Sequence, residues 1–419
     1  MRIPADLPEP LRVGARRLLG SRGKIARTVL QPEPVCLLIA DISGYTEYLA
    51  GVEIDHAQDI LADLIGTVVT SLRPNFRLAK LEGDAAFCFA PADKVDASTV
   101  LDTIEHCYFS FRRRRRDVRQ ATSCECNACM RIPTLNLKFV AHEGVVIRQK
   151  VAGREELLGS DVIIVHRLLK NDIVETLGIA AYAALTEALT SATAMEPAAL
   201  GMTRRSQSYE HVGEVPVWVL DLERRWQEEE ARQRVFVDPT DALISVDFEI
   251  PAPPQVVWEF ATQPGRRAGW QAANGVTAIE QDVGRGGRRG VGTVNHCMHG
   301  PTVILEQILD WRPHDYFTYM TTLPGNGPVF PTTFEFEPTT SGTQVHLRVG
   351  RPKKKSDTAI LAEVGKGWGA AMQQGMLVLR EQAGAENADR AALGTEPELP
   401  HLRNSDGFLA SMPQIEMLP

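Results

Sequence analysis

Two aspartates, Asp41 and Asp84, are candidate ligands for a metal ion because of their chemistry and their spacing in the sequence. Asp41 ends the uninterrupted apolar run 35–40 and is followed by Ile-Ser-Gly, and Asp84 follows Gly83 just before the apolar run 85–89. An apolar run bounded by an acid and a glycine is typical of a buried strand that delivers a carboxylate to a site. We therefore predict that Asp41 and Asp84 meet on adjacent strands and share divalent cations. The alternative is that each acid closes its own turn.

Three cysteines form a second chemical cluster at C-x-C-x-x-C spacing: Cys124, Cys126 and Cys129. Thiolates this close together can bind one zinc ion (Zn2+) or an iron–sulfur cluster if a fourth ligand comes from elsewhere. The candidates for that ligand are His106, Cys107 and His142. The seven cysteines of this long chain do not indicate a disulfide framework, so the alternative is three reduced thiols in a loop.

The segments around the aspartates alternate between the periodicities of strands and helices. In chain order, the sequence predicts a strand at 35–40, a helix at 56–72, a strand pair at 76–89 turning at Gly83, a helix at 100–111, a strand, glycine turn and strand over 135–147, a helix with Ser160 or Asp161 as its N-cap, a helix at 174–189, a strand at 215–220 and a linker helix at 224–234. Mixed α+β architecture follows from this order.

Two arginine-rich stretches are candidates for phosphate binding. The five arginines 112–116 follow a predicted helix, but no aromatic residues are interleaved and the net charge of the chain is −8. We therefore predict a solvated helix end and no nucleic-acid partner. The stretch Gly284-Arg-Gly-Gly-Arg-Arg-Gly290 neither follows a clear strand nor opens a helix, which favours a hairpin turn.

Length and composition indicate an ordinary globular protein in two parts. The 419 residues exceed one compact core, and contents of 44% hydrophobic and 23% charged residues are typical of globular domains. No apolar run approaches the ~20 residues of a membrane span. The N-terminus has no signal-peptide core, so we expect a cytoplasmic protein without a membrane span.

The motif pair Asp41-Ile-Ser-Gly-Tyr-Thr46 and Lys80-Leu-Glu-Gly-Asp84 resembles the catalytic domain of class III adenylate and guanylate cyclases, most closely an uncharacterised bacterial branch. The resemblance spans about residues 35–220 and implies a ferredoxin-like α/β domain. It also implies ATP or another nucleotide as a partner and Mg2+ or Mn2+ as a cofactor. The implied metal-binding residues are Asp41, Asp84 and Ile42; the implied nucleotide-binding residues are Lys80, Gly44, Tyr45, Thr46 and Glu156; Arg167 is the implied catalytic residue beside the two aspartates.

The chain departs from the cyclase pattern at two positions. Ile163 stands where the family has an Asn four residues before Arg167, and Glu143 replaces the Thr of the turn His-Thr-Gly. Loss of one preorganised hydrogen-bond donor typically costs ~3 kcal/mol, or about a hundredfold in rate. Weakened or rearranged catalysis is therefore expected. Because the sites of this family are shared between two chains, the resemblance also implies a homodimer.

Beyond residue 241 the pattern becomes one of antiparallel strands and a long final helix. The expected elements are strands at 242–250, 293–297, 302–311, 317–322, 332–337 and 343–349, a short helix from 251, and a helix at 359–380. Ala252-Pro-Pro-x-x-Val-Trp258 and Trp311-Arg-Pro resemble the helix-grip fold of START-like and polyketide-cyclase-like (SRPBCC) proteins. The resemblance implies an apolar small molecule between the sheet and the final helix. Four tryptophans either line that cavity or fill the core: Trp258, Trp270, Trp311 and Trp368.

The expected organisation is a basic arm at 1–34, a cyclase-like domain at 35–220, a linker at 221–241, a helix-grip domain at 242–384 and a disordered tail at 385–419. One hypothesis is a signalling enzyme that converts ATP to cyclic AMP, with the C-terminal domain sensing an apolar ligand. A second is a catalytically degenerate nucleotide-binding regulator. A third is a lipid- or polyketide-binding protein regulated by its cyclase-like domain.

Overall fold

A computed structural model describes residues 31–50, 52, 54–121, 126–151, 154–282 and 284–392. Most of the predicted arm at 1–34 and residues 393–419 of the predicted tail lie outside this part of the chain. The described residues contain two β-sheets, one built before residue 222 and one after residue 243. The predicted α+β class is confirmed.

The first sheet consists of β1 Glu33–Ser43, β2 Arg77–Glu82, β3 Ala85–Pro91, β4 Asn136–Val151, β5 Arg154–Leu158, β6 Tyr182–Thr186, β7 Thr203–Tyr209 and β8 Gly213–Asp221. The helices of this part are α1 Tyr45–Ala50, α2 Ile54–Leu72, α3 Ala97–Ala121, α4 Asn127–Arg131, α5 Ser160–Arg167, α6 Ile173–Leu177, α7 Glu187–Ala192 and α8 Leu222–Ala231. The strand order is β2-β3-β1-β4-β6-β8-β7, with β5 paired to β4. The succession β1-α2-β2-β3-α3-β4 is the β-α-β-β-α-β arrangement of ferredoxin-like folds.

Strand β1 is buried on both faces, as its continuous apolar run requires. Leu38 belongs to the core shared with α2 and α3, whereas Leu37 and Ile39 belong to the core on the opposite face, which Val165 of α5 completes. Side chains alternate along a strand, so Asp41 lies on the same face as Ile39. The strand therefore holds this carboxylate on the α5 side of the sheet.

The second sheet is antiparallel throughout, in the order β10-β11-β12-β13-β14-β15-β9. Its strands are β9 Ile244–Ile250, β10 Ala278–Gln281, β11 Val294–His299, β12 Thr302–Arg312, β13 Tyr316–Thr322, β14 Val329–Thr339 and β15 Gly342–Val349. Its helices are α9 Pro254–Thr262, α10 Pro264–Gln271 and α11 Thr358–Ala392. Apolar residues of α9 and α11 share one core with this sheet, as the helix-grip prediction requires.

The prediction of a solvated helix end at the arginine run is wrong. Helix α3 continues through these arginines to Ala121, and several bind neighbouring elements. Arg114 Nε lies 2.6 Å from a carboxylate oxygen of Asp63 on α2, and Arg112 pairs with Glu223 on α8 at 2.8 Å. Arg115 is buried and donates to the Leu135 carbonyl. The arginine run therefore connects α3 to α2, to α8 and to the segment before β4.

The predicted strand, turn and strand over 135–147 are one continuous strand, β4, which passes through Gly144 opposite Val35. Only glycine fits at position 144, because a Cβ on this residue would lie 2.4 Å from the Cβ of Asp161. The predicted N-cap is also different. Gly159 precedes α5, and the Asp161 carboxylate accepts a hydrogen bond from the Val145 amide at 2.7 Å.

Two further predicted boundaries are wrong. The helix expected at 174–189 is the short helix α6, then strand β6, then α7, because Tyr182–Thr186 is buried between β4 and β8. Helix α11 runs to Ala392, so residues 385–392 of the predicted disordered tail are helical. Short apolar runs fit both helical and strand periods, and burial between two partner strands decides between them.

Candidate functional site

The site begins with Asp41 near the end of β1 and Asp84 in the turn between β2 and β3. Asp41 is opposite Ala85 in the β1–β3 ladder, and the Ile42 amide donates to the Asp84 carbonyl at 3.2 Å. The two aspartates are therefore neighbours, as predicted from their contexts. Burial raises the pKa of the Asp84 carboxyl, and the negative charge of Asp41 raises it further.

Lys138 is the residue that the sequence analysis missed. It is opposite Asp41 in the β1–β4 ladder, and its Nζ lies 2.9 Å from Oδ2 of Asp41. Burial acts to lower the pKa of Lys138, but the charge of Asp41 and the hydrogen bond to it outweigh burial and raise the pKa. One half-buried ammonium therefore neutralises Asp41, and the charge of Asp84 also acts on it. No local signal identified Lys138, because its role depends on the register of two strands distant in sequence.

The residues expected near phosphate lie directly after Asp41. Gly44 has φ of +85°, a conformation that favours glycine, and α1 begins at the next residue, Tyr45. Thr46 is exposed, whereas the side chain of Ile42 is buried, so Ile42 offers a ligand only through its backbone. Backbone amides at a helix start suit an anion.

The two residues expected to contact the base, Lys80 and Glu156, lie close enough to interact electrostatically. Lys80 on β2 pairs with Glu82 at 2.8 Å, and this hydrogen bond raises the pKa of Lys80, with a further contribution from the charge of Glu156 on β5. Glu82 also lies 3.0 Å from Nε2 of His166 on α5. Lys80 therefore stands among acidic groups at the exposed edge of the domain.

Helix α5 carries the expected transition-state residues on its solvent side. Ile163 is 55% exposed, an unusual environment for an isoleucine, and Arg167 one turn later is also exposed. Among the described residues, the Arg167 side chain forms no hydrogen bond or ion pair. The structure therefore does not bring Arg167 to the aspartates within one chain.

His142 is held as a structural residue on β4. Its Nδ1 lies 2.9 Å from the Thr186 hydroxyl, and its Nε2 lies 3.3 Å from a carboxylate oxygen of Asp161. Burial lowers the pKa of His142 against the opposing effect of Asp161. Glu143 beside it has its pKa raised by burial. The ring therefore links β4 to β6 and α5.

The cysteine cluster is only partly described. Cys126 precedes α4 and Cys129 lies buried within it, while Cys124 falls outside the described residues. The proposed fourth ligands have other contacts: the Cys107 thiol lies 3.7 Å from the Val68 carbonyl, and the His106 ring packs on His314. Within the described ranges, no three side chains form a group that could hold a metal ion.

The C-terminal domain contains a cavity at the predicted place, between its sheet and α11. Its volume is about 130 Å³, below the ~300–1,000 Å³ usual for ligand pockets. Trp368 and Met372 line it, while the other three tryptophans are in the core, as the alternative predicted. Glu306 in its wall is held by Arg267 through bonds of 2.6 and 2.9 Å.

The glycine–arginine stretch connects β10 to β11, as the hairpin prediction stated, but it also docks on the first domain. Arg288 donates to Asp102 at 2.6 Å and to Glu105 at 2.7 Å, both on α3. The indole N–H groups of Trp258 and Trp311 also approach Asp102, at 3.3 and 3.4 Å. We call Arg288, Asp102 and Glu105 the interdomain triad.

Comparisons with known proteins divide the chain in the same way. Residues 61–176 match a family described as a protein of unknown function (DUF2652), and residues 241–384 match the family described as polyketide cyclase / dehydrase and lipid transport. The second match confirms the SRPBCC prediction. The uncharacterised protein Rv2561/Rv2562 of Mycobacterium tuberculosis is 35% identical over 162 residues, 39% of this chain and 73% of that protein.

Solved structures similar to the N-terminal part are nucleotide cyclases. The guanylyl cyclase Cya2 is 14% identical with a TM-score of 0.34, over 45% of this chain and 92% of that chain. The adenylyl cyclase CyaB from P. aeruginosa is 14% identical with a TM-score of 0.34, over 46% of this chain and 95% of that chain. Within the described residues, no helix is long and apolar enough to cross a membrane.

Proposed function

This chain belongs to the same family as the mycobacterial protein Rv2561/Rv2562, and we propose that its N-terminal domain binds a purine nucleoside triphosphate and cyclises it as a homodimer. The observation that carries the proposal is the Asp41–Asp84 pair. The two residues are neighbours in the sheet and partly buried. Burial raises the pKa of the Asp84 carboxyl, and the charge of Asp41 adds to this effect. Such a pair suits a divalent cation, which would compensate the second negative charge.

The donor set fits Mg2+ or Mn2+, since both prefer carboxylate oxygens. Asp41 and Asp84 would hold the cation, with the Ile42 carbonyl as a further oxygen. When bound, the cation supplies activation of the attacking hydroxyl and neutralisation of the pyrophosphate. Lys138 already balances Asp41 at 2.9 Å, so the chain itself contributes one positive charge to the phosphate site.

The other groups position the nucleotide. Amides of Gly44 and Tyr45 at the start of α1 would donate to phosphate oxygens. Lys80, whose ammonium is drawn toward Glu82 and Glu156, is proposed to donate to an acceptor on the purine ring and so favour adenine. Because Arg167 is exposed and its side chain has no partner among the described residues, it is proposed to act in the site of a second copy of the chain.

A cyclase assay tests the proposal directly. Purified protein with ATP or GTP and Mg2+ or Mn2+ should release cyclic nucleotide, and Asp41→Asn and Asp84→Asn should each abolish release. Asp117→Asn is the matched control, because this aspartate is 57% exposed on α3 and away from the site. Lys80→Glu should change the ATP to GTP preference without changing Mn2+ binding. Release that survives both aspartate variants would exclude this site.

A nucleotide-binding regulator without turnover is the second candidate, and the exposed Ile163 supports it. A site lacking that hydrogen-bond donor can still bind metal and nucleotide. Under this alternative, equilibrium binding of Mn2+ and ATP depends on Asp41 and Asp84, whereas cyclic nucleotide stays undetectable for every variant. Binding and turnover assays on the same samples therefore separate the two candidates.

The C-terminal cavity is proposed to hold a small apolar molecule with one polar group directed at Glu306. Its apolar walls include Trp368 and Met372, and the Glu306 carboxylate supplies an acceptor. Toluene and benzyl alcohol are suitable probes of different polarity, followed by tryptophan fluorescence. Met372→Trp should fill the cavity and remove binding. Binding that is unchanged by this variant would place the probe elsewhere.

Cys124, Cys126 and Cys129 are proposed to bind zinc or an iron–sulfur cluster, as soft thiolate ligands favour. Elemental analysis of protein purified without chelator measures the metal content. Cys126→Ser should lower that content, whereas Cys297→Ser, a buried cysteine of the other domain, should not. Metal-free protein would overturn this proposal.

A further inference from the structure

A large cleft lies between the two domains, away from the aspartates. Its volume is about 950 Å³, within the range usual for ligand sites. One wall comes from the end of α2 and from α3, and the other comes from the C-terminal domain and the end of α11. We call this space the interdomain cleft. Neither the nucleotide site nor the C-terminal cavity includes it.

Positive charge predominates in the interdomain cleft. Four arginines line it, Arg73, Arg77, Arg113 and Arg390, against one carboxylate, that of Asp315. Arg77 lies 3.2 Å from Glu155, and Arg390 lies 2.8 Å from Glu259. Arginine presents a planar set of donors that matches carboxylate and phosphate oxygens. The lining therefore suits an oxyanion.

Arg113 is the arginine most available to such a ligand. It lies on the exposed side of α3, and no carboxylate among the described residues is within ion-pair distance of it. Its guanidinium group packs on the Trp226 ring, whose centroid lies 5.6 Å from the guanidinium carbon. Burial lowers the pKa of Arg73 on the same wall.

His314 supplies an independent observation that points to a ligand. This residue is 4% exposed and lines the cleft, yet neither Nδ1 nor Nε2 has a hydrogen-bond partner. Its ring packs against the rings of His106 and Trp258, with distances between ring centroids of 4.6 Å and 5.8 Å, respectively. A buried polar group without a partner is rare in folded proteins and calls for a physical reason such as a missing ligand.

Both imidazoles of the cleft are neutral near pH 7. Burial lowers the pKa of His314, and the neighbouring His106 adds to this effect. Burial also lowers the pKa of His106 to about 4, with a further contribution from the charge of Arg113. A neutral His314 has one N–H to donate and one nitrogen lone pair to accept. The charge of the site therefore comes from arginine, and the histidine adds a directional hydrogen bond.

We propose that the interdomain cleft binds a small organic oxyanion, a carboxylate or a phosphate on an apolar body, through Arg113 and His314. The apolar part of the ligand would pack against side chains that line the cleft between these polar groups: Pro74, Phe76, Pro251, Pro253, Pro254 and Phe336. Since the walls belong to both domains, the ligand holds the two domains in one relative position.

Calorimetric titration of the full-length protein tests the proposal with three probes: benzoate, phenyl phosphate and neutral benzamide. We expect at least one of the two anions to bind while benzamide does not, and the tighter anion identifies the source of the oxyanion. Inorganic phosphate serves as a fourth probe and reports how much the apolar body adds. Failure of both aromatic anions to bind would overturn the proposal.

Arg113→Gln should weaken binding of the better anion by about tenfold or more, the loss expected for one charge-assisted hydrogen bond. Arg116→Gln is the matched control, since Arg116 is 52% exposed on the same helix and does not line the cleft. Both arginines are exposed, so neither change threatens folding. His314→Phe should also weaken binding while keeping the ring contacts. Equal affinities for the wild type, Arg113→Gln and His314→Phe would refute the assignment.

Discussion

Replacement of Arg288 by methionine should strongly destabilise the protein, because it removes one partner of a buried ion-pair cluster at the interface between the domains. The guanidinium makes four hydrogen bonds to Asp102 and Glu105, of 2.6 to 3.2 Å. The side chains of the triad are only 10%, 3% and 5% exposed, in the order Arg288, Asp102 and Glu105. Removing one partner of a buried ion pair costs about 3–5 kcal/mol, because a charge stays buried without compensation. That is a large share of the ~5–15 kcal/mol of a typical folded protein.

Arg289→Met is the matched control. Arg289 pairs with Asp96 at 2.7 Å, but the Asp96 side chain is 44% exposed, so water replaces the lost partner. Exposed pairs contribute about 0–1 kcal/mol. Urea unfolding followed by circular dichroism measures both variants. We expect Arg288→Met to lower the midpoint and to separate the unfolding of the two domains, and Arg289→Met to do neither. Equal midpoints for the two variants would refute the reasoning.

The triad also predicts a pH dependence. Burial acts to raise the pKa of Glu105, but the charges of Arg288 and Arg225 and their hydrogen bonds outweigh it and lower the pKa to about 2. Burial raises the pKa of Asp102 and outweighs the opposing charges of Arg288 and Arg289. A lowered folded-state pKa means that Glu105 contributes stability above its ordinary value of 4.5 and loses it as pH falls toward 2. Arg288→Met should shift this acid transition upward, in urea midpoints measured between pH 3 and 7.

Two more substitutions give contrasting expectations. Gly144→Ala should destabilise the protein by about 1–3 kcal/mol in urea unfolding, because the new Cβ would displace Asp161 from its hydrogen bonds; Gly265→Ala, with open space around it, is the control and should be neutral. Ile163→Asn should raise cyclic nucleotide release up to about a hundredfold, because it restores a donor. Ile360→Asn, at a similarly exposed isoleucine, should not; equal rates for both would remove Ile163 from the site.

Local patterns predicted the elements that carry the aspartates. The apolar run before Asp41 is long enough to identify a strand without knowledge of its partners, and Gly83 with φ of +70° turns the hairpin where predicted. Asp41 and Asp84 could be paired from sequence because each has its own strand context. The same contexts could not show how Arg167 reaches a site, since one chain leaves it exposed.

Contacts between distant segments account for what the sequence did not show. Lys138 meets Asp41 only through the register of β1 and β4, and Arg114 meets Asp63 only through the packing of α3 on α2. Arg288 presents the same difficulty, because a turn sequence does not reveal which surface the turn contacts. The positions of charged residues follow no sequence periodicity from which their ion-pair partners could be predicted. Their roles therefore require the tertiary structure.

Helix α11 is the longest of the helices in the described residues, and it reaches from the C-terminal cavity to the N-terminal domain. Its 35 residues correspond to about 52 Å at 1.5 Å per residue. Trp368 near one end borders the C-terminal cavity, and Arg390 near the other donates to the Asn75 side chain at 3.4 Å, just before β2. About 33 Å of helix separates these two residues, so a tilt of only ~5° at the tryptophan displaces the arginine by about 3 Å. The helix therefore connects the C-terminal cavity to the residue that precedes the hairpin carrying Asp84.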